Sequence, residues 1–127
     1  MMTVKECYER LGADYEDVCC RLLSEERILR FLQMLLRDGS YQELCDAMGR
    51  QDYECAFRAA HTLKGVFFNL SLTLQGKCAS ALTEALRSRQ ENEEIRPLFE
   101  QMVSSYREMY EAIEELSESQ TGGSRNG

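Results

Sequence analysis

Apolar residues recur along this chain at spacings of three and four, and strict alternation is almost absent, so the pattern is helical nearly throughout. Residues 3–11 form a short amphipathic segment that ends at Gly12, a residue suited to the left-handed turn after a helix. Asp14 can cap a second short segment over 15–23, with Val18, Cys19, Leu22 and Leu23 on one side. Ser24 followed by Glu25 and Glu26 opens a strong helix whose stripe is Ile28, Phe31, Leu32, Leu35 and Leu36. Ser40 and Glu43 fit a capping box in front of Leu44, Ala47 and Met48. Asp52 can cap a helix over 53–70 with Ala56, Ala59, Leu63, Val66, Phe67 and Leu70 in one arc. A helix over 73–88 presents Leu74, Cys78, Ala81, Leu82 and Ala85 or Leu86. After a polar turn at 89–92, Pro97 sits in the first turn of a long final helix carrying Leu98, Met102, Ser105, Met109, Ala112 and Leu116.

These elements predict an all-α fold, an antiparallel four-helix bundle with additional short N-terminal helices. The bundle helices are expected over 25–38, 53–70, 73–88 and 94–117, with the segment 40–48 and the N-terminal arm packed at one end. Residues 1–117 then form one domain, with the arm over 1–23 and the bundle over 24–117. The small, polar residues 118–127 are expected to be a disordered tail.

Composition narrows the function. With 22 acidic and 15 basic side chains the net charge is −7, which repels phosphate backbones and anionic membrane surfaces, so neither nucleic acid nor a membrane is an expected partner. No apolar run approaches the roughly 18 residues of a membrane span, and the N-terminal residues lack a signal-peptide core, so a cytoplasmic location is expected. The six cysteines contain no C-x-x-C and have a single histidine to pair with, which gives a zinc site little support. They read mainly as small apolar side chains; adjacent Cys19 and Cys20 are the one pair that suggests a redox role.

That single histidine, His61, falls outside the apolar arc of its helix. Its helical neighbours are Phe57, Lys64, Gly65 and Phe68, so imidazole, ammonium and bare backbone share one side. Glycine inside a helix costs about 1 kcal/mol relative to alanine, and bundle packing gives no reason for one on the side away from the core. Close approach of another protein's backbone to the imidazole would supply a reason. Lys64 would then neutralise incoming anionic charge, and Phe57 and Phe68 would add apolar docking area.

The run Ala59-Ala60-His61-Thr62-Leu63-Lys64-Gly65, followed by Asn69-Leu70 and preceded by the turn over 49–52, resembles the signature of histidine-containing phosphotransfer (HPt) domains of bacterial two-component phosphorelays. The resemblance covers about residues 25–115. It implies that His61 accepts a phosphoryl group from a receiver aspartate and passes it to another response regulator, that Lys64 stabilises the group, and that Gly65 admits the partner. It further implies receiver domains, a sensor histidine kinase, or both as partners. Mg2+ is then expected only in the partner receiver, with no cofactor on this chain. Two departures from the family pattern stand out: Ser71 stands where glycine is common, and Phe67 and Phe68 stand where small or polar residues are frequent. Phe67 is expected in the core, and Phe68 beside His61, narrowing the docking surface.

A phosphocarrier without catalysis of its own fits the rest of the chain. A neutral imidazole is a nitrogen nucleophile that needs no general base to attack an acyl phosphate, and phosphoryl transfer relies on positioning and electrostatics. One ring nitrogen must stay free while a hydrogen bond orients the other; Ser80, Thr83 and Glu84 are the candidates for that bond. There is no glycine-rich nucleotide loop, so the phosphoryl group is expected from elsewhere. A monomer is expected. The main alternative is a non-phosphorylated helical adaptor in which His61 is incidental. A metal or redox role for the cysteines has less support, and hydrolysis least, because no Ser or Cys has a second histidine to activate it.

Overall fold

The computed structural model describes residues 1–125, and every regular element among them is a helix: α1 (Val4–Arg10), α2 (Tyr15–Leu22), α3 (Glu25–Arg37), α4 (Ser40–Gly49), α5 (Tyr53–Asn69), α6 (Thr73–Ala85) and α7 (Ile95–Arg125). Side-chain caps start most of them. Asp14, Ser24 and Asp52 accept from the backbone N–H of Asp17, Arg27 and Cys55 at 3.0, 3.2 and 3.1 Å. The reciprocal capping box forms at Thr3 and Glu6. None forms at Ser40, where one was expected. There the Asp38 carboxylate takes the Ser40 N–H at 2.7 Å, and Gly39 holds the cap position without a side chain.

The core is continuous through the bundle: Leu44 from α4, Leu63 and Phe67 from α5, Leu82 from α6, and Met109 and Ile113 from α7 are all fully buried. The short turns at 50–52 and 70–72 make α4, α5 and α6 antiparallel neighbours. α4 lies alongside α5 rather than at one end of the bundle, and it is pinned to α7 by Tyr41 stacked on Tyr106 with ring centroids 3.7 Å apart. α3 packs on α7 and α2.

The inward stripe of α6 differs from the expected one. Gln75, Gly76, Ala79, Leu82, Thr83 and Leu86 are buried, whereas Leu74 and Ala81 are exposed and Cys78 is half-buried. The reason is the close approach of α6 to α5. Gly76 and Ala79 face a helix that itself buries Ala56, Ala59 and Ala60, and small residues let the two backbones come together. The largest apolar side chain of the first α6 turn, Leu74, is turned outward as a result.

α7 is also longer than expected. It runs on to Arg125 where a tail was predicted from residue 118, and its later turns meet the N-terminus. The Met2 N–H donates to Ser119 Oγ at 3.3 Å, and Gln120 Nε2 donates to the Met2 carbonyl at 3.2 Å. The last part of the predicted tail, 126–127, lies outside the described residues.

The arm closes over the α5–α6 turn. The buried Tyr8 hydroxyl donates to the Leu70 carbonyl at 2.8 Å, and the Asp14 N–H donates to the Ser71 carbonyl at 3.1 Å. Carbonyls left open by the end of α5 are thereby satisfied from α1 and α2.

Candidate functional site

α5 exists because Asp52 caps it and because its alanines, Leu63 and Phe67 are buried, and that inward face fixes which residues point out. His61, Gly65 and Phe68 lie on the outward face, with Lys64 half-buried beside them. A Cβ added at Gly65 would meet nothing within 4 Å. Nothing inside the bundle therefore requires glycine at this position.

The imidazole lies nearly parallel to the Phe57 ring, 9° between planes and 6.2 Å between centroids. Phe57 is half-buried, and it too is covered: the Arg89 guanidinium carbon stands 3.8 Å from its ring centroid and that of Arg87 5.5 Å. Arg89 Nε also donates to Glu54 at 2.9 Å, and its Nη1 to the Arg87 carbonyl at 2.7 Å. Phe57 thus serves less as free docking area than as a platform beneath a cation and beside the imidazole.

The three side chains considered for orienting the ring are otherwise engaged or silent. Thr83 is buried and gives its hydroxyl to the Ala79 carbonyl at 2.6 Å. Glu84 is bound by Arg87 through two nitrogens, at 2.6 and 3.2 Å. That pairing, with a smaller pull from nearby Lys64, holds its carboxyl below the ordinary carboxylate range. Ser80 is half-buried on α6, and among the described residues none of the three bonds to His61.

The cysteines do not gather. All six are free, Cys7 fully buried and Cys20 exposed, and burial pushes the Cys7 thiol up to about 11. Among the described residues no three His, Cys, Asp or Glu side chains cluster as metal ligands, and no helix is long and apolar enough to cross a membrane.

A family model described as the Hpt domain matches residues 22–118 of this chain. The chain belongs to the Hpt domain family. Hpt domains are helical bundles that act as phosphocarriers in two-component phosphorelays, where they meet receiver domains and histidine kinases. Neither the comparison with curated proteins nor that with solved structures returned a match.

Both departures from the family pattern have a structural answer in this Hpt domain. Ser71 occupies the left-handed region at φ 57°, the conformation for which glycine is favoured, and its hydroxyl donates to Asp17 Oδ2 at 2.6 Å. Phe67 is in the core. Phe68 lies over Gly76, where an added Cβ would stand 2.6 Å from the ring, so the bulk on one helix is matched by bare backbone on the other.

Sequence reasoning missed four features of this Hpt domain's outward face. Gly76, buried beneath the Phe68 ring, was not singled out. Arg87 and Arg89 come from the end of α6 and the turn after it, and the spacing within α5 carries no signal for them. The fourth is an open apolar groove of about 430 Å3 between α5 and α3, lined by Val66 and Asn69 of α5 and by Phe31 and Met34 of α3, with Leu22 also contributing. Met34, an exposed apolar residue of α3, lies outside the stripe of Ile28, Phe31, Leu32, Leu35 and Leu36 and was not singled out.

Proposed function

We propose that His61 is the phosphoacceptor of this Hpt domain, taking a phosphoryl group from an aspartyl phosphate on a receiver and delivering it to the aspartate of another response regulator. The observation that carries this reading is the pairing of an outward-facing imidazole with Gly65, whose missing side chain would meet nothing within the protein. A partner backbone can approach along that bare turn. In the transfer, the lone pair of the unprotonated ring nitrogen forms an N–P bond while the acyl-phosphate P–O bond breaks and its electrons return to the receiver carboxylate. The proton on the other ring nitrogen stays, or leaves to water, and the reverse process discharges the group to the next receiver.

Lys64 meets the negative charge of the transferring group, since an ammonium one turn from the imidazole favours a dianion there. Gly65 supplies clearance, and Phe68 and the groove toward Met34 supply apolar docking area. The metal and the acidic pocket belong to the receiver, and this chain needs no cofactor of its own. A cytoplasmic monomer suits six unpaired thiols.

The test mixes the purified protein with phosphorylated receiver domains from the same cell and follows acid-labile label. Label on the native protein and none on His61→Gln is the expected result. Equal labelling of the two, or none with any cognate receiver, overturns the assignment and leaves the adaptor reading in its place.

A further inference from the structure

We infer that Arg89 is a positioning residue for phosphotransfer, fixing the Phe57 ring as a shelf that limits the planes the His61 imidazole can adopt. The inference rests on His61 being the phosphoacceptor. An imidazole on a helix surface turns about a broad, roughly two-fold torsion, so an exposed ring without an anchoring bond spends much of its time misaligned. None of Ser80, Thr83 and Glu84 supplies such a bond among the described residues. What faces the ring instead is Phe57, parallel to within 9°.

Phe57 is held in turn. The Arg89 guanidinium carbon is 3.8 Å from the ring centroid, and the rest of the group is tied at two points, to Glu54 at 2.9 Å and to the Arg87 carbonyl at 2.7 Å. A planar guanidinium can satisfy all three contacts together; the single ammonium of a lysine cannot cover a ring and keep both bonds. The backbone adds a second, independent observation. Arg89 sits at φ 57°, a left-handed conformation that is disfavoured for a residue with a side chain, and glycine would hold it without strain. The turn therefore retains a strained arginine whose side chain reaches the aromatic ring that lies parallel to the histidine. Holding a reacting group in a narrow range of orientations lowers the entropy still to be lost in the transition state, which raises the rate of the chemical step without strengthening partner binding.

The experiment uses the full chain. His61 is the sole histidine, so its ring protons give isolated signals in proton–carbon spectra, shifted by the neighbouring Phe57 ring. Arg89→Gly keeps the left-handed turn unstrained and is expected to fold as the native protein does. In it the His61 ring signals move toward free-histidine values, and kcat for transfer from a phosphorylated receiver falls about fivefold with KM unchanged. Phe57→Leu gives the same loss, Phe57→Tyr restores the rate, and the double variant Phe57→Leu/Arg89→Gly is no slower than either single. Ring signals unchanged in Arg89→Gly overturn the proposal. So does a double variant slowed by the product of the two single effects, or a loss confined to KM and sensitive to salt, either of which makes Arg89 a charge contact for the partner. Absence of phosphohistidine on the native protein removes the phosphoacceptor assignment itself, a separate failure from an unmoved shelf on a labelled protein.

Discussion

The Ser71 hydroxyl donates to Asp17 Oδ2 at 2.6 Å from a residue whose own backbone is left-handed, φ 57°. Two opposed effects meet at one position, since the side chain that makes the bond is also the one the backbone disfavours. Ser71→Gly relieves the strain and loses the bond, so its stability is expected within about 0.5 kcal/mol of native. Ser71→Ala keeps the strain and loses the bond, and is expected to cost about 1 kcal/mol. Urea unfolding of the three proteins checks the order; alanine at or above glycine contradicts it.

Acid should loosen the same joint. The Ser71 hydroxyl first, and Arg21 second, hold the Asp17 carboxyl below its ordinary value. A depressed folded-state value means that Asp17 contributes stability above about pH 4, where it is ionised in both states, and loses it as pH falls through the lowered value. Asp17→Asn removes this contribution at neutral pH and flattens the stability profile below about pH 4. A native-like acid slope in Asp17→Asn would place the titration elsewhere.

Gly76 and Phe68 form a coupled pair. Adding a Cβ at Gly76 places it 2.6 Å from the Phe68 ring, which is 38% exposed and has room to swing outward. Gly76→Ala is therefore expected to lose about 1 kcal/mol and to slow receiver docking as the ring turns into the partner's path. In a Phe68→Ala background the same change becomes neutral or stabilising, and a double-mutant cycle reads the difference. Additive effects would mean that the ring and the glycine do not compete for space.

At Gly65 stability and function are expected to move in opposite directions. Alanine there gains up to about 1 kcal/mol of helix stability because its methyl meets nothing. On the proposed close approach of a partner at Gly65, transfer is expected to slow nonetheless, more so for Gly65→Leu. Thermal unfolding and the rate of label transfer, measured on the same preparations, test the pair. A Gly65→Leu protein that transfers at the native rate removes the argument for close approach.

What could be read from the sequence was whatever depends on neighbours within one helix. The inward arc of α5, the caps at Asp14, Ser24 and Asp52, and the outward grouping of His61 with Lys64, Gly65 and Phe68 all follow from spacing along a single element. Features decided between elements did not show. The α6 stripe rotated because Gly76 and Ala79 admit a closer approach to α5 than large residues would, and spacing alone assigned Leu74 and Ala81 to the inside. α4 lies beside α5 and is pinned to α7 by a cross-bundle tyrosine stack, a contact between elements far apart in the chain. The continuation of α7 depended on Met2, at the far end of the chain. Phe57 was singled out for partner docking, but the arginines that cover it are set by the turn after α6. Thr83 was reasonable as an orienting hydroxyl until its bond to the Ala79 carbonyl was seen.

The family's boundary and the folding unit's boundary do not coincide. The Hpt match begins at residue 22, yet the Leu70 and Ser71 carbonyls at the end of the histidine helix are satisfied by Tyr8 and Asp14, upstream of it. A fragment trimmed to the family's limits would keep His61, Lys64, Gly65 and Phe68 and surrender the lid of the turn just behind them. For anyone grafting this domain into a synthetic signalling circuit, the portable module starts at the N-terminal capping box of Thr3 and Glu6.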